Sequence, residues 1–197
     1  MSSEGWKKYK VREICKSISI THSFDKESLI FLNTGDIEKG EFLHRDYSLV
    51  SQLPGQAKKT IKLNDILFSE IRPANGRYAI VDFENTDDYL VSTKLMVIRG
   101  NEKVDPRFLY LFLTQTTTLN WLQHLAESRS GTFPQITFEN IADLDISLPP
   151  LSIQEKIVNH ISALDDKIEL NRQTNASLEA VAQAIFKEWF VNFNFPG

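Results

Sequence analysis

The sequence predicts an α+β protein: a mixed α/β domain with a short-stranded sheet over residues 1–150, followed by a long coiled-coil-forming helix over residues 151–193. Three observations predict it. First, Ile157, Ile161, Leu164, Ile168, Asn171, Asn175, Leu178, Ala182, Ile185 and Trp189 are spaced four, three, four, three throughout, the period of a coiled-coil seam. Second, the chain upstream is a series of short apolar runs separated by turn residues, the pattern of short strands. Third, Pro149-Pro150 stands between the two regions.

The elements follow in order. Trp6 to Ile14 is an apolar-polar lead-in that Ile18 to Ile20 continues. Leu29 to Leu32 predicts a strand ended by Asn33-Thr34-Gly35-Asp36, and Lys39-Gly40 marks another turn. Gln52 to Lys59 holds Pro54-Gly55 and predicts a loop. Ile61 to Leu63 and Ile66 to Ser69 predict paired short strands around Asn64-Asp65. Arg72 to Arg77 predicts a turn with a basic residue at each end. Tyr78 to Phe83 and Tyr89 to Ile98 each predict one buried strand. Asp105-Pro106 predicts a helix start, and Leu119 to Leu125 a second short helix. Glu127 to Gln135 predicts a loop, Thr137 to Ile141 a lead-in, and Asp145 to Leu148 a last strand. Ser152 and Glu155 have the spacing of a capping box at the start of the long helix. At 1.5 Å per residue that helix would run roughly 55–60 Å. A helix of that length needs a partner.

Composition sets bounds. The 197 residues carry a net charge of −4, 42% hydrophobic and 24% charged residues, ordinary values for a folded protein. The charge divides evenly, −2 over residues 1–151 and −2 over 152–197. Bulk charge therefore announces no nucleic-acid binder, and any such function must rest on local basic clusters. Cys15 is the single cysteine, which excludes a disulfide framework and a Cys-based zinc site. No apolar run approaches a membrane span, and the polar N-terminus lacks the apolar core of a signal peptide. The cytoplasm is the default compartment.

Catalytic readings fail. The sequence has no glycine-rich phosphate loop or dinucleotide fingerprint. His22, His44, His124 and His160 are isolated, without metal-ligand spacing. Asp87-Asp88 and Asp165-Asp166 are adjacent pairs, which solvation explains. Leu148-Pro149-Pro150-Leu151 lacks the Asn and the aromatic ring of the Asn-Pro-Pro-aromatic motif that holds a flipped adenine in adenine methyltransferases.

The polar signals lie elsewhere. Asn171 and Asn175 on the seam either fix the register of a coiled coil or lie where helices splay. Trp189-Phe190-Val191-Asn192-Phe193 is either core or an exposed patch that binds a partner. Lys58, Lys59, Arg72, Arg77 and Arg129 sit in or beside predicted loops, with Gly76 and Gly131 permitting close backbone approach. Lys and Arg neutralise phosphates. Arg, Asn and Gln read base edges, and Asn75, Ser130, Thr132 and Gln135 add polar side chains for such reading. Each residue taken alone is also an ordinary solvated surface group.

At this point a resemblance enters. Leu148-Pro-Pro-Leu-Ser-Ile-Gln-Glu-Lys-Ile-Val158, Leu164-Asp-Asp-Lys-Ile-Glu-Leu-Asn171 and Phe186-Lys-Glu-Trp-Phe-Val-Asn-Phe193 closely resemble the conserved region of specificity subunits of Type I restriction–modification systems. Leu63 to Ser69 with Arg72 and Gly76, and Gly131 to Ile136, also look like this family. The resemblance implies a target-recognition domain over residues 1–150 that reads a short half-site on double-stranded DNA. It implies a spacer helix that pairs antiparallel with a second such helix. Partner methyltransferase subunits would flip an adenine and methylate N6 from S-adenosylmethionine, and a translocating restriction subunit would use ATP and Mg. The specificity subunit itself would hold no catalytic residue, cofactor or metal. The usual subunit has two recognition domains and two helices, whereas this sequence shows one of each, as a natural half-subunit or a fragment. A single seam predicts an antiparallel homodimer reading inverted half-sites. Arg72, Arg77 and Arg129 are then the expected DNA contacts, Lys58 and Lys59 the phosphate contacts, and Asn75, Ser130, Thr132 and Gln135 the base readers. The competing class is a scaffold or decoy that binds methyltransferase subunits through the helix and reads no DNA. Replacing Arg72 and Arg77 discriminates them.

Overall fold

The structure, a computed structural model, describes residues 5–129 and 134–195. It divides into two compact units, Met1–Glu155 and Lys156–Gly197.

The first unit holds twelve strands and three helices among the described residues. The strands are β1 (Lys7–Lys10), β2 (Cys15–Ile18), β3 (Ser28–Leu32), β4 (Ile37–Glu38), β5 (Glu41–Phe42), β6 (Tyr47–Leu49), β7 (Ala57–Lys59), β8 (Ile66–Ser69), β9 (Tyr78–Ile80), β10 (Tyr89–Ser92), β11 (Leu95–Gly100) and β12 (Asp145–Leu148). The helices are α1 (Pro106–Thr114), α2 (Thr116–Arg129) and α3 (Phe138–Ala142). One four-stranded sheet runs β2-β11-β8-β9, all antiparallel. A second runs β6-β3-β10-β7, with β10 parallel to β3. Two ribbons complete the unit, β4-β5 and β1-β12. In the latter Lys7 pairs with Leu148 and Lys10 with Asp145.

Alternation along β8 and β11 builds the core. Phe68, Met96 and Ile98 belong to an apolar cluster with Leu109 of α1, Leu122 of α2 and Ile141 of α3. Leu67, Leu95 and Val97 belong to a second cluster with Ile30 and Val91 of the other sheet. The β2-β11-β8-β9 sheet therefore has helices on one face and a sheet on the other. A strand buried on both faces reads as a continuous apolar run rather than an alternating one.

That burial explains the largest departure from expectation. Tyr89 to Ile98 is not one strand. It breaks at Thr93-Lys94, with β10 in one sheet and β11 in the other. Ser92 makes the break locally, its Oγ accepting from Lys94 N at 3.2 Å. Ile61 to Leu63 is not a strand, and β8 pairs with β9 and β11 instead. The second helix is longer than expected, running to Arg129. Thr137 to Ile141 is not a mere lead-in: it contains α3, opened by a Thr137–Asn140 capping box. The start of α1 is as expected, with Asp105 Oδ1 accepting from the N–H groups of Arg107 and Phe108 at 2.9 Å each and Pro106 at the first position.

One buried ion pair fixes the sheet that carries β8 and β11. Asp65 has a fully buried side chain and accepts from Arg99 Nε at 2.6 Å, Arg99 Nη2 at 2.8 Å and Lys62 N at 2.7 Å. The hydrogen bond to Asp65 holds the Arg99 pKa above its ordinary value. Burial pushes the Cys15 thiol up to about 12, which suppresses its reactive thiolate.

The long helix α4 spans Leu151–Phe186, 36 residues and about 54 Å. It begins two residues earlier than a Ser152 cap requires. Ile153 N and Gln154 N donate to Pro150 O at 2.8 and 3.1 Å, so Ser152 lies inside the first turn and caps nothing. Pro149-Pro150 supplies the rigid entry instead. Gln154 is buried, and its amide donates to Pro149 O (2.9 Å) and Lys103 O (3.1 Å) and accepts from Asp105 N (2.9 Å). These bonds keep the first turn of α4 with the first unit.

In the second unit the helix is continuous to Phe186 and then closes in a π-helical turn, Lys187–Val191. Ile157 and Ile161 are half-buried, and Leu164, Ile168, Asn171, Asn175, Leu178, Ala182, Ile185 and Trp189 are all exposed. Leu164 is 65% exposed and Leu178 62%, so the apolar stripe of this helix lies open in the single chain, as a surface that a partner covers does. Gln173–Glu169 and Gln183–Glu179 hydrogen bonds at one-turn spacing support the helix. The aromatic end folds on itself. Phe186 stacks on Phe190 at 5.2 Å, Phe190 meets Phe195 edge-on at 6.3 Å, and Glu188 accepts from the side-chain amides of Asn192 and Asn194. These rings are exposed within the second unit.

Candidate nucleic-acid interface

The segment from β8 to β9 must reverse direction within eight residues, 70–77. Ser69 starts the reversal, its Oγ accepting from Ile71 N at 3.0 Å. Arg72 then adopts a left-handed backbone (φ 45°, ψ 75°), and Pro73–Asn75 forms a short 3₁₀ turn ended by Gly76 at φ 70°. A left-handed arginine is uncommon and costs free energy of about 1 kcal/mol or more. The surroundings hold it there. Arg72 N donates to Pro134 O at 3.0 Å, Ile71 bridges Gln135, and Ile136 N donates to Glu70 O at 2.8 Å. On the other side Glu70 N donates to Lys94 O at 3.1 Å, and Lys94 Nζ lies 3.8 Å from the Glu70 carboxylate. Helix α2 contributes Gln123, whose Oε1 accepts from Ala74 N at 3.1 Å. Gly76 O accepts from Lys39 N at 2.7 Å.

Three segments far apart in sequence thus meet: the turn at 70–77, the sheet-crossing turn at Thr93-Lys94, and Pro134 to Ile136. Arg72, Asn75 and Gln135 are exposed there, and their side chains make no hydrogen bond or ion pair among the described residues. That is how a surface keeps donors available for a ligand.

The other expected site residues fare differently. Arg77 is only half-exposed and already engaged. Its Nη1 donates to Ile37 O (3.1 Å) and Gly35 O (3.3 Å) and lies 3.5 Å from Glu38 Oε2. Through Nη1 it staples the turn before β4, and Nε and Nη2 are the donors that remain on its other edge. Lys59 also points inward. Its Nζ donates to Thr93 O at 3.0 Å and Leu95 O at 2.8 Å, and burial pulls its pKa below the ordinary lysine value. Lys59 holds the sheet-crossing turn in place rather than presenting a charge. Lys58, its neighbour on β7, is exposed, as strand alternation requires. Arg129 is the last residue of α2. Ser130 and Thr132 lie outside the described residues. Lys94, which the sequence reading did not single out, is exposed beside the turn at 70–77, with its Nζ 3.8 Å from the Glu70 carboxylate. Its signal was the polar triplet Ser92-Thr93-Lys94 inside an apolar run.

Among the described residues no group of three or more His, Cys, Asp or Glu could hold a metal ion, and no helix is long and apolar enough to cross a membrane. The surface has a binder's chemistry: exposed cationic and amide donors on a rigid base.

Comparison with known proteins decides the family. Residues 3–180 match the Type I restriction modification DNA specificity domain. The chain belongs to this family. A relative, the Type I restriction enzyme HindI specificity subunit of Haemophilus influenzae, is 50% identical over 191 residues, covering 96% of this specificity-domain chain and 41% of the relative. The MjaIX specificity subunit of Methanocaldococcus jannaschii is 34% identical over 98 residues, covering 49% of this chain and 22% of the relative. The HsdS subunit from Thermoanaerobacter tengcongensis has the same fold, with a TM-score of 0.76 at 24% identity, covering 94% of this chain and 48% of that one. This specificity-domain chain thus spans less than half the length of these relatives.

Proposed function

We propose that this chain reads one half-site of a bipartite DNA target and directs partner adenine-N6 methyltransferase and restriction subunits to it. The observation that carries the reading is the meeting of Arg72, Asn75, Gln135 and Lys94 on one rigid turn system in a member of the specificity-domain family. The chain acts without catalysis of its own. S-adenosylmethionine belongs to the methyltransferase partner, and ATP and Mg to the restriction partner.

Two copies join through antiparallel long helices. The exposed seam from Leu164 to Ile185 supports this pairing, with Asn171 and Asn175 fixing its register, since a misaligned buried amide loses its hydrogen bonds. The pair of domains then reads inverted half-sites in the cytoplasm.

Salt dependence tests the DNA reading. For the complex with its methyltransferase, log K should fall linearly with log salt between about 50 and 200 mM, at about −0.9 per phosphate neutralised. Lys58→Ala should weaken all sequences alike and flatten the slope by about one per protomer. Binding that is indifferent to salt would mean that the charged face does not touch DNA.

A further inference from the structure

We infer that Gln123, on helix α2, is a positioning residue for base recognition: it carries no DNA contact but sets where the Arg72–Asn75 turn presents its side chains. The inference rests on the DNA-reading proposal above and deepens it.

The geometry is specific. The Gln123 amide is bonded at both ends. Its Oε1 accepts from Ala74 N at 3.1 Å, and its Nε2 donates to Glu127 Oε1 at 2.7 Å, one helical turn on. The second bond settles which end of the amide faces Ala74. The acceptor is thereby aimed at the turn and cannot swing away without losing both bonds. Ala74 is the middle residue of the 3₁₀ turn, flanked within two residues by Arg72 and Asn75. Every other polar tie that reaches the turn from outside holds its ends. Arg72 N bonds Pro134 O, and Gly76 O accepts from Lys39 N. Gln123 alone, among the described side chains, holds the middle by a hydrogen bond.

A left-handed arginine followed by proline makes such a tie consequential. Arg72 at φ 45° sits in a narrow basin from which relaxation to an extended backbone is downhill. Relaxation would re-aim the guanidinium. Base reading tolerates little misplacement, because a bidentate contact needs both donors in line with a base edge, whereas phosphate contacts adjust. Loss of Gln123 should therefore cost specificity before it costs affinity or stability.

The test measures equilibrium binding of the complex with its methyltransferase to a cognate duplex and to a scrambled duplex at one salt concentration, alongside the thermal midpoint. Gln123→Met keeps length and removes both bonds. The expected result is a cognate-to-scrambled ratio lowered about ten- to hundredfold, with scrambled binding and assembly unchanged. The double variant Gln123→Glu/Glu127→Gln restores an acceptor for Ala74 and a donor opposite it, and should recover most of the ratio. A wild-type ratio in Gln123→Met, an equal loss on both duplexes, or a folded double variant that recovers nothing would each overturn the inference. A wild-type complex that prefers no sequence would overturn the DNA-reading proposal itself, a result distinct from failure of the positioning role.

Discussion

Arg72→Gly lowers binding of the assembled complex to its cognate site by about 10- to 100-fold, and leaves its thermal midpoint unchanged or raises it. The two halves of this expected result have separate causes. The guanidinium is exposed and unpaired among the described residues, so removing it deletes no fold contact. If it forks onto a base edge, its loss costs about 1–3 kcal/mol of discrimination. The backbone at φ 45° is strained for arginine and unstrained for glycine, so the substitution relieves strain. Arg72→Ala removes the same guanidinium but keeps the strain, and should bind as weakly. The informative contrast is Arg77→Ala. Arg77 bonds Gly35 O and Ile37 O, so its loss should lower the midpoint by a few degrees and affect DNA only through the fold. Equal binding defects without a stability change in both variants would contradict this separation.

Asp65→Ala should be the most damaging single change in the first unit. Its carboxylate has no exposure and accepts three hydrogen bonds, two from Arg99 and one from Lys62 N. Truncation leaves a cation unpaired between β8 and β11. Breaking a buried pair from one side costs about 3–5 kcal/mol, and the lower end applies here because Arg99 keeps 27% exposure and some access to water. For a unit of this size that lowers the midpoint by about 6–12 °C. The double change Asp65→Ala/Arg99→Met should be less destabilised than Asp65→Ala alone, because it leaves no orphan charge. A thermal melt of the three variants checks this. A double variant that melts below the single one would show that the loss was packing and not charge.

Local and periodic features were legible in the sequence; long-range ones were not. The start of α1 could be read because Asp105 and Pro106 act on their own helix. The long helix could be read because its seam holds the four-three spacing over ten positions. The break between β10 and β11 could not, because Val91, Leu95 and Val97 are all buried and an uninterrupted apolar run conceals a change of sheet. Helix α3 was missed because five residues carry too little periodicity. Arg72 and Arg77 look alike in sequence, five positions apart in one turn. Only the contacts to Gly35 and Ile37, some forty positions away, separate a free guanidinium from an engaged one. Lys59 differs from Lys58 for a similar reason, since its partners are the carbonyls of Thr93 and Leu95. Lys94 was concealed within the run read as one strand.

The most direct test of the central claim is a map of methylated adenine. The chain would be co-expressed with its methyltransferase in a host without that modification, and the host DNA read for N6-methyladenine. The account predicts a split motif of two inverted half-sites, abolished or degraded by Arg72→Gly. A stable complex with the methyltransferase that methylates no defined motif would contradict it.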